Sequence, residues 1–432
     1  MGRNLPTRRS FIKTITATTG VLSVGGLIPS FVLGANDRIN YGVIGTGGRG
    51  TGLLRELVNR SGEENIQVKA VCDVFQKRLT EAKDICKGDG YMDYRKILDR
   101  NDIDAVLIAA PDHWHSKMCI EAMDAGKHVY CEKPLTLTCE QAIEVRDAVK
   151  KYNKVLQVGP QRTAQDRWWN ARDIIRDGRL GKVTWAQGSW NRNNRGRSVF
   201  GTSDRRDDPV GPHMTGENYI DWDMWLGHKW GLAPRVPWNP NRFFYFRGYW
   251  DYNGGVATDL LYHFLAPLLL AIVGEDGEYP VRVNGNGGLY DNNDGREVPD
   301  VFMMTVDYPG KFTVFLESVL TNEYYRPARI YGRYGTMEFD ESLSDISMEG
   351  VGSFMDKFRE MNNDYEKMII PPTGGRRDMH GNFIDVIRKG GKLNCNVNLG
   401  ASTMVAIKMG VESYRQKKTM LWNAVKEKMI AS

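Results

Sequence analysis

Three residues have types and spacings suited to proton chemistry: Lys133, Asp259 and His263. Asp259 and His263 stand four apart near the start of an apolar, helix-like stretch, Val256 to Val273, that continues through Pro267, so both fall on one helix face. A carboxylate beside an imidazole fixes its tautomer and raises its basicity, which a general base for an alcohol needs. The same pair also suits a buried histidine that a nearby aspartate satisfies for packing alone. Lys133 precedes Pro134, which keeps it out of helical geometry and makes a cis bond possible. Spacing alone equally allows a solvated turn there.

A second set of residues suits an anion. Gly45-Thr46-Gly47-Gly48-Arg49-Gly50 fits G-x-G-x-x-G between a strand, INYGVIG, and a helix, TGLLRELVNR. Gly45 allows the tight turn, Gly47 lets backbone approach a pyrophosphate, Gly50 lets helix and strand pack closely, and the helix N-terminus offers N–H groups to the anion. Asp73 ends the next strand, NIQVKAVCD, about 23 residues after Gly50. A carboxylate there accepts both ribose hydroxyls and repels a 2′-phosphate, which favours NAD over NADP; its competing role is a helix N-cap. AAPDHWH, Ala109 to His115, and KHVYCEKP, Lys127 to Pro134, close further apolar strands, and in an open parallel sheet such strand ends face the ligand. His113 and His115 form an HxH pair, but no other His, Cys or acidic cluster lies near enough in sequence to complete a site, so no metal is expected.

The elements that must position these residues can be read from periodicity. Strand and helix patterns alternate from Arg38 to about residue 153, which predicts a parallel sheet with helices on both faces. After NKVLQVGPQR the pattern changes to strands in succession: VTWAQGSW, PVRVNGNGGL, VFMMTVDY, KFTVFLESV and ARIYGRYGTMEF. Their Gly, Pro, Asp and Asn turns predict a mostly antiparallel or mixed sheet. The expected division is thus an α/β dinucleotide-binding domain over 35–158 and a second α/β domain over 159–432, with the boundary near Gly159. Asn191 to Glu217 is long, polar and proline-broken, and reads as a functional or mobile loop. Nine of the 11 tryptophans lie between Trp168 and Trp250, beside FFYF at Phe243 to Phe246. Flat rings stack on the C–H faces of sugars and Arg192, Arg195 and Arg197 can donate to hydroxyls, although core packing explains most of these rings. The six cysteines show no CxxC pair and no zinc spacing.

The first 34 residues have another character. Thr7-Arg8-Arg9-Ser10-Phe11-Ile12-Lys13 fits a twin-arginine export signal, followed by an apolar run from about Ile15 to Leu33 and small residues at Gly34 and Ala35. The run is too diluted by Thr, Ser and Gly for a membrane span. Four of the five net positive charges sit at Arg3, Arg8, Arg9 and Lys13, ahead of the first acidic residue, so the remaining chain is near neutral and gives no ground for nucleic-acid binding. A periplasmic location, reached through the twin-arginine machinery, is expected. Free NAD is scarce there, so the cofactor must be loaded before export and kept. A residence time of hours requires a dissociation constant on the order of 10⁻¹⁰ M, about −14 kcal/mol.

In combination and order, these segments resemble the Gfo/Idh/MocA oxidoreductases, the group of glucose–fructose oxidoreductase and inositol dehydrogenases. The resemblance runs from Arg38 to Tyr414 and rests on the glycine loop, Pro111 with His115, AGKHVYCEKP at Ala125, VGPQR at Val158, Asp259 with His263, and IYGRYGTMEF at Ile330. It implies a Rossmann domain followed by an α/β domain whose open, mostly antiparallel sheet often serves in oligomer contacts, hence a homo-oligomer. It also implies that Lys133 holds a substrate hydroxyl, that His263, oriented by Asp259, takes its proton, and that hydride passes between a sugar carbon and the nicotinamide. Pro111, His115, Glu132, Lys133, Gln161 and Arg162 would lie close to the cofactor. The chain departs from the family at Asn253, where a run of three glycines is usual, and at Leu261, a common glycine. Two other readings stay open: a glycosidase or lyase that oxidises its sugar transiently, and a non-catalytic nucleotide and sugar binder.

Overall fold

The computed structural model describes residues 37–193, 209–340 and 344–432. The export signal, Arg195 and Arg197 lie outside the described residues.

The first sheet contains β1 (Ile39–Ile44), β2 (Ile66–Cys72), β3 (Asp89–Tyr91), β4 (Ala105–Ile108), β5 (His128–Cys131) and β6 (Leu156–Val158), all parallel, in the order β3-β2-β1-β4-β5-β6. Four helices alternate with them: α1 (Gly48–Asn59), α2 (Gln76–Cys86), α3 (Asp112–Asp124) and α4 (Cys139–Tyr152). Every residue of β4 is buried, the signature of a strand covered on both faces. Helix α4 starts where Thr138 can cap it: the Thr138 side chain accepts from Gln141 N while the Gln141 side chain accepts from Thr138 N. It stops at Asn153, in the left-handed region at φ 50°. The strand order reverses between β1 and β4, and the crevice at their carboxyl ends is where such a sheet binds a dinucleotide.

The second sheet has ten strands: β7 (Val183–Ser189), β8 (Arg282–Gly288), β9 (Val301–Asp307), β10 (Thr313–Val319), β11 (Ala328–Gly332), β12 (Gly335–Phe339), β13 (Ile346–Gly350), β14 (Lys367–Ile370), β15 (Met420–Asn423) and β16 (Lys428–Ala431). Their order is β14-β13-β12-β11-β7-β10-β9-β8-β15-β16. Only the β7–β10 pair is parallel among the described pairings, so the sheet is mixed and mostly antiparallel, as the succession of strands predicts. Helix α5 (Asp166–Arg176) packs against α6 (Tyr262–Val273), which lies on the sheet and contains Pro267.

Two features depart from the sequence reading. A π-helical turn, Ala257–Leu261, precedes α6, so Asp259 and His263 do not share a regular α-helix. The C-terminal part also returns to the first sheet. Helix α7 (Met379–Lys389) sets Phe383 against Tyr41 and Tyr130, and helix α8 (Val397–Gln416) packs on α4. Gln157 of β6 donates to Met379 O, closing that seam.

Candidate active site

The glycine loop is shaped by what a side chain would strike. Gly45 has φ +86°, and a Cβ there would lie 2.7 Å from Ala109 O; at Gly50 it would lie 1.9 Å from Gly45 O. Gly47 differs: a Cβ there would lie 3.4 Å from Arg78 Nη1 and project into the cradle that backbone leaves open. Asp73 ties the loop to β2. Its Oδ2 accepts from Thr46 N at 2.8 Å and Thr46 Oγ1 at 3.2 Å, and its Oδ1 accepts from Phe75 N at 2.9 Å. It is therefore an anchor of the crevice rather than the cap of α2, whose N-cap is Phe75.

A cavity of about 420 Å³ opens along this crevice, within the range of small-molecule sites. Gly45, Gly47, Gly48, Arg49, Asp73 and Pro111 form one wall, and Trp225, Phe243, Phe244, Phe246 and Arg247 form the facing wall, with Asp259 also in the lining. The facing wall belongs to a separate aromatic cluster built from Ile220 to Tyr252 around Phe75. Asp221 N donates to Val74 O at 2.9 Å and Gln76 N to Tyr219 O at 3.0 Å, so this segment is stitched across the edge of the crevice. Arg78 lies with its guanidinium over Phe243, 5.1 Å from the ring centre. The open cradle at Gly47, the N-terminus of α1 and the carboxylate at the end of β2 together fit a dinucleotide.

Beyond Asp259 lies a cluster of charge. Lys133, carried out of the first sheet by β5, precedes a cis peptide bond to Pro134. Its Nζ donates to Asp259 Oδ1 at 2.8 Å and to Asp259 O at 2.7 Å. Arg247 Nε donates to the same Oδ1 at 3.0 Å. The Asp259 carboxylate thus spends its hydrogen bonds on two cations and not on His263, a correction to the expected Asp–His pair. The π-helical turn and the opposing Lys133 explain this, since the aspartate faces the other sheet. Burial raises the Asp259 acid, but Lys133 and Arg247 outweigh that and hold it well below the usual carboxylate range. The His263 ring sits 5.1 Å from Trp190. Burial, then the positive charge of Lys133, pushes its pKa well below the ordinary histidine value, although Asp259 acts the other way. A neutral imidazole results, able to accept a proton.

Of the expected cofactor neighbours, Arg49 and Gln161 meet at Glu132, and Glu132, Gln161 and Arg162 stand outside the cavity lining. Glu132 Oε1 accepts from Arg49 Nε at 2.9 Å and from Gln161 Nε2 at 3.1 Å, which links the glycine loop to the segment after β6. Arg162 lies over Phe264 at 4.1 Å and Trp190 at 4.9 Å, beside His263. His115 has a different place from the one expected: its ring lies under the loops, with Nδ1 2.7 Å from Pro134 O and Nε2 2.8 Å from Ala110 O, and so braces the two strand ends instead of lining the cavity. Thr46 and Gly50 likewise shape the cradle from beneath. His113 Nε2 is 3.0 Å from Trp225 O, and burial pushes its pKa down to about 3. Arg247, Arg78 and Asp112 belong to the site without a motif of their own: Asp112 adjoins Pro111, whereas nothing in FRGYW marks Arg247.

Two family models match separate stretches of the chain. Residues 39–160 match the model of an oxidoreductase family with an NAD-binding Rossmann fold, GFO_IDH_MocA, and residues 210–309 match the C-terminal alpha/beta domain of that oxidoreductase family. A glycosyl hydrolase family 109 protein from a Shewanella species is 32% identical over 157 residues, 32% of this chain and 33% of that one. An inositol 2-dehydrogenase from Salmonella paratyphi B is 31% identical over 153 residues, 35% of this chain and 45% of that one. The chain therefore spans less than half the length of the curated relatives it matches. The crystal structure of an aldose-aldose oxidoreductase from Caulobacter crescentus, complexed with glycerol, shares the fold at a TM-score of 0.62 and 18% identity, over 89% of this chain and 99% of that one.

Proposed function

The chain belongs to the Gfo/Idh/MocA family of oxidoreductases, and from that membership we propose that it moves a hydride between a sugar or glycoside hydroxyl and NAD. The observation that carries the reading is the meeting of Lys133, from the Rossmann sheet, with Asp259, which lies on the turn leading to His263 and lines the dinucleotide crevice. Bound NAD would supply the hydride acceptor. Gly47, Gly48 and the N-terminus of α1 would hold its pyrophosphate, and Asp73 its ribose. The Lys133 ammonium, aimed by its hydrogen bond to Asp259, donates to the substrate hydroxyl and favours its alkoxide. The neutral His263 ring takes the hydroxyl proton. Trp190 offers an apolar ring beside that imidazole, suited to the C–H face of a sugar.

Export by the twin-arginine route and a cofactor that stays bound through turnover belong to the same proposal, as does assembly into a homo-oligomer. The aromatic wall from Trp225 to Phe246, reached through a segment that Tyr219 and Asp221 tie to Gln76 and Val74, supports retention by covering one side of the crevice. A nucleotide that remains would be reoxidised in place by a second carbonyl compound, which accords with the name of the Caulobacter structure. The experiment is mass spectrometry of the nucleotide in the purified chain, before and after extensive dilution. NAD at one per chain in both samples is expected; a chain purified empty, or emptied by dilution, contradicts retention.

A second reading has one observation in its favour, the glycosyl hydrolase name of the Shewanella relative. There the same hydroxyl is oxidised only transiently and the glycosidic bond is cleaved. Net release of an aglycone without an accumulated keto sugar would select it.

A further inference from the structure

One buried acid beside the charge cluster has no part in the reaction above. Asp112 opens helix α3, is 4% exposed, and its Oδ2 accepts a 2.5 Å hydrogen bond from Asn253 Nδ2. The Asn253 amide is fixed from its other end. Its Oδ1 accepts from Gly255 N at 2.7 Å and from Thr258 Oγ1 at 3.2 Å, so its NH₂ must face Asp112. Gly255 holds φ +69°, and a Cβ there would lie 2.8 Å from Val298, so the turn accepts no other residue without strain. Asn253 thereby joins the first sheet to the turn that carries Asp259.

The charged and titratable groups facing Asp112 come from three elements: Arg247, Asp259 on the π-helical turn, and Lys133 with the Cys131 thiol at the end of β5. We propose, resting on the oxidoreductase reading, that Asp112 and Asn253 form a positioning pair whose proton state sets the charge at the Lys133–Asp259 ion pair. Burial, reinforced by Asp259 and opposed by Arg247 and Lys133, pushes the Asp112 acid up to about 7. While it is neutral, the cluster of Lys133 and Arg247 against Asp259 keeps a surplus positive charge for the substrate alkoxide. Once its proton leaves for solvent, a second carboxylate cancels that surplus, and oxidation slows although His263 is still able to accept a proton.

The test compares native holoenzyme with Asp112→Asn and Asn253→Asp. In native protein, kcat/KM for sugar oxidation should fall about fivefold between about pH 6 and pH 8. Asp112→Asn should remove the fall. Asn253→Asp, which sets two carboxyl groups to share one proton, should move it to higher pH. An independent readout is the carboxylic C=O infrared band, which should vanish across that range in native protein and be missing from Asp112→Asn. Stability adds a third: the raised acid stabilises the fold at low pH and that stability is lost as pH rises through about 7, so the native Tm should fall more than that of Asp112→Asn. A pH profile unchanged by both substitutions, or a native protein without the titrating band, overturns the proposal. Should Asp112→Asn not fold, the native infrared band and Asn253→Asp decide. Full activity in Lys133→Met would instead defeat the oxidoreductase reading and leave the infrared and Tm results to judge Asp112 separately.

Discussion

Lys133 and Asp259, 126 residues apart in the chain, meet across the two sheets through a 2.8 Å ion pair in which each side chain is only 12% exposed. The contact joins the strand end that borders the cofactor crevice to the turn that leads into His263. It fixes the distance between the two halves of the site, and it leaves each charge dependent on the other.

That dependence is measurable by a double-mutant cycle. Removing one partner of a buried pair strands the other, so Asp259→Asn should lower stability to urea by about 3 kcal/mol. Lys133→Met in the same chain should recover at least half of that loss, because the stranded ammonium is gone. Additive losses in the double variant would show that the pair is not coupled in solution.

His263 should act as a base over an unusually wide range. Its pKa is held well below the ordinary histidine value by burial and by Lys133, so the acid limb of kcat/KM for oxidation should lie well on the acid side of the usual histidine range. His263→Gln should lower kcat by roughly 10²-fold or more and abolish that limb. A limb at the usual histidine pKa would mean that the ring is solvated.

Asp73 and Arg78 both line the crevice, and they oppose each other toward a 2′-phosphate. Native protein should therefore prefer NAD. Asp73→Ser should bring NADP affinity up by about tenfold relative to NAD, since Arg78 remains to meet the phosphate. Nucleotide titration by reduced-nicotinamide fluorescence reads the ratio; an unchanged preference would place the discrimination elsewhere.

Arg8 and Arg9 carry the export proposal. The double substitution to lysine should leave the folded, nucleotide-loaded protein in the cytosol, as read by cell fractionation. Equal amounts outside the cytosolic membrane in both forms would remove the reason for a retained cofactor, while leaving the chemistry of the site untouched.

The parts of this molecule that were legible in sequence are those whose chemistry is local. The glycines at 45, 47 and 50 announce a close approach of backbone, and Asp73 and Lys133 stand at strand ends, which a parallel sheet directs into one crevice. Residues that work by crossing between elements were hidden. Asp259 and His263 looked like partners because four residues separate them, but the π-helical turn and the pull of Lys133 and Arg247 gave the carboxylate another direction. Arg247 and Asn253 acquire their roles only when Tyr245 to Gly255 folds against the first sheet, and no periodicity marks that. The return of helices α7 and α8 over the first sheet is hidden for the same reason, since Phe383 meets Tyr41 and Tyr130 across more than half of the chain.

In the proposed reaction Lys133 and His263 act together on one sugar hydroxyl at the nicotinamide end of the crevice. It is tested most directly by a single turnover: nucleotide-loaded native protein and Lys133→Met are each mixed with a panel of sugars and glycosides, and reduction of the bound nicotinamide is followed by absorbance. Reduction by at least one sugar is expected in the native protein, with a rate about 10³-fold lower in Lys133→Met while nucleotide is still bound. Equal rates in the two proteins, or a loaded native protein that no sugar reduces, would contradict it.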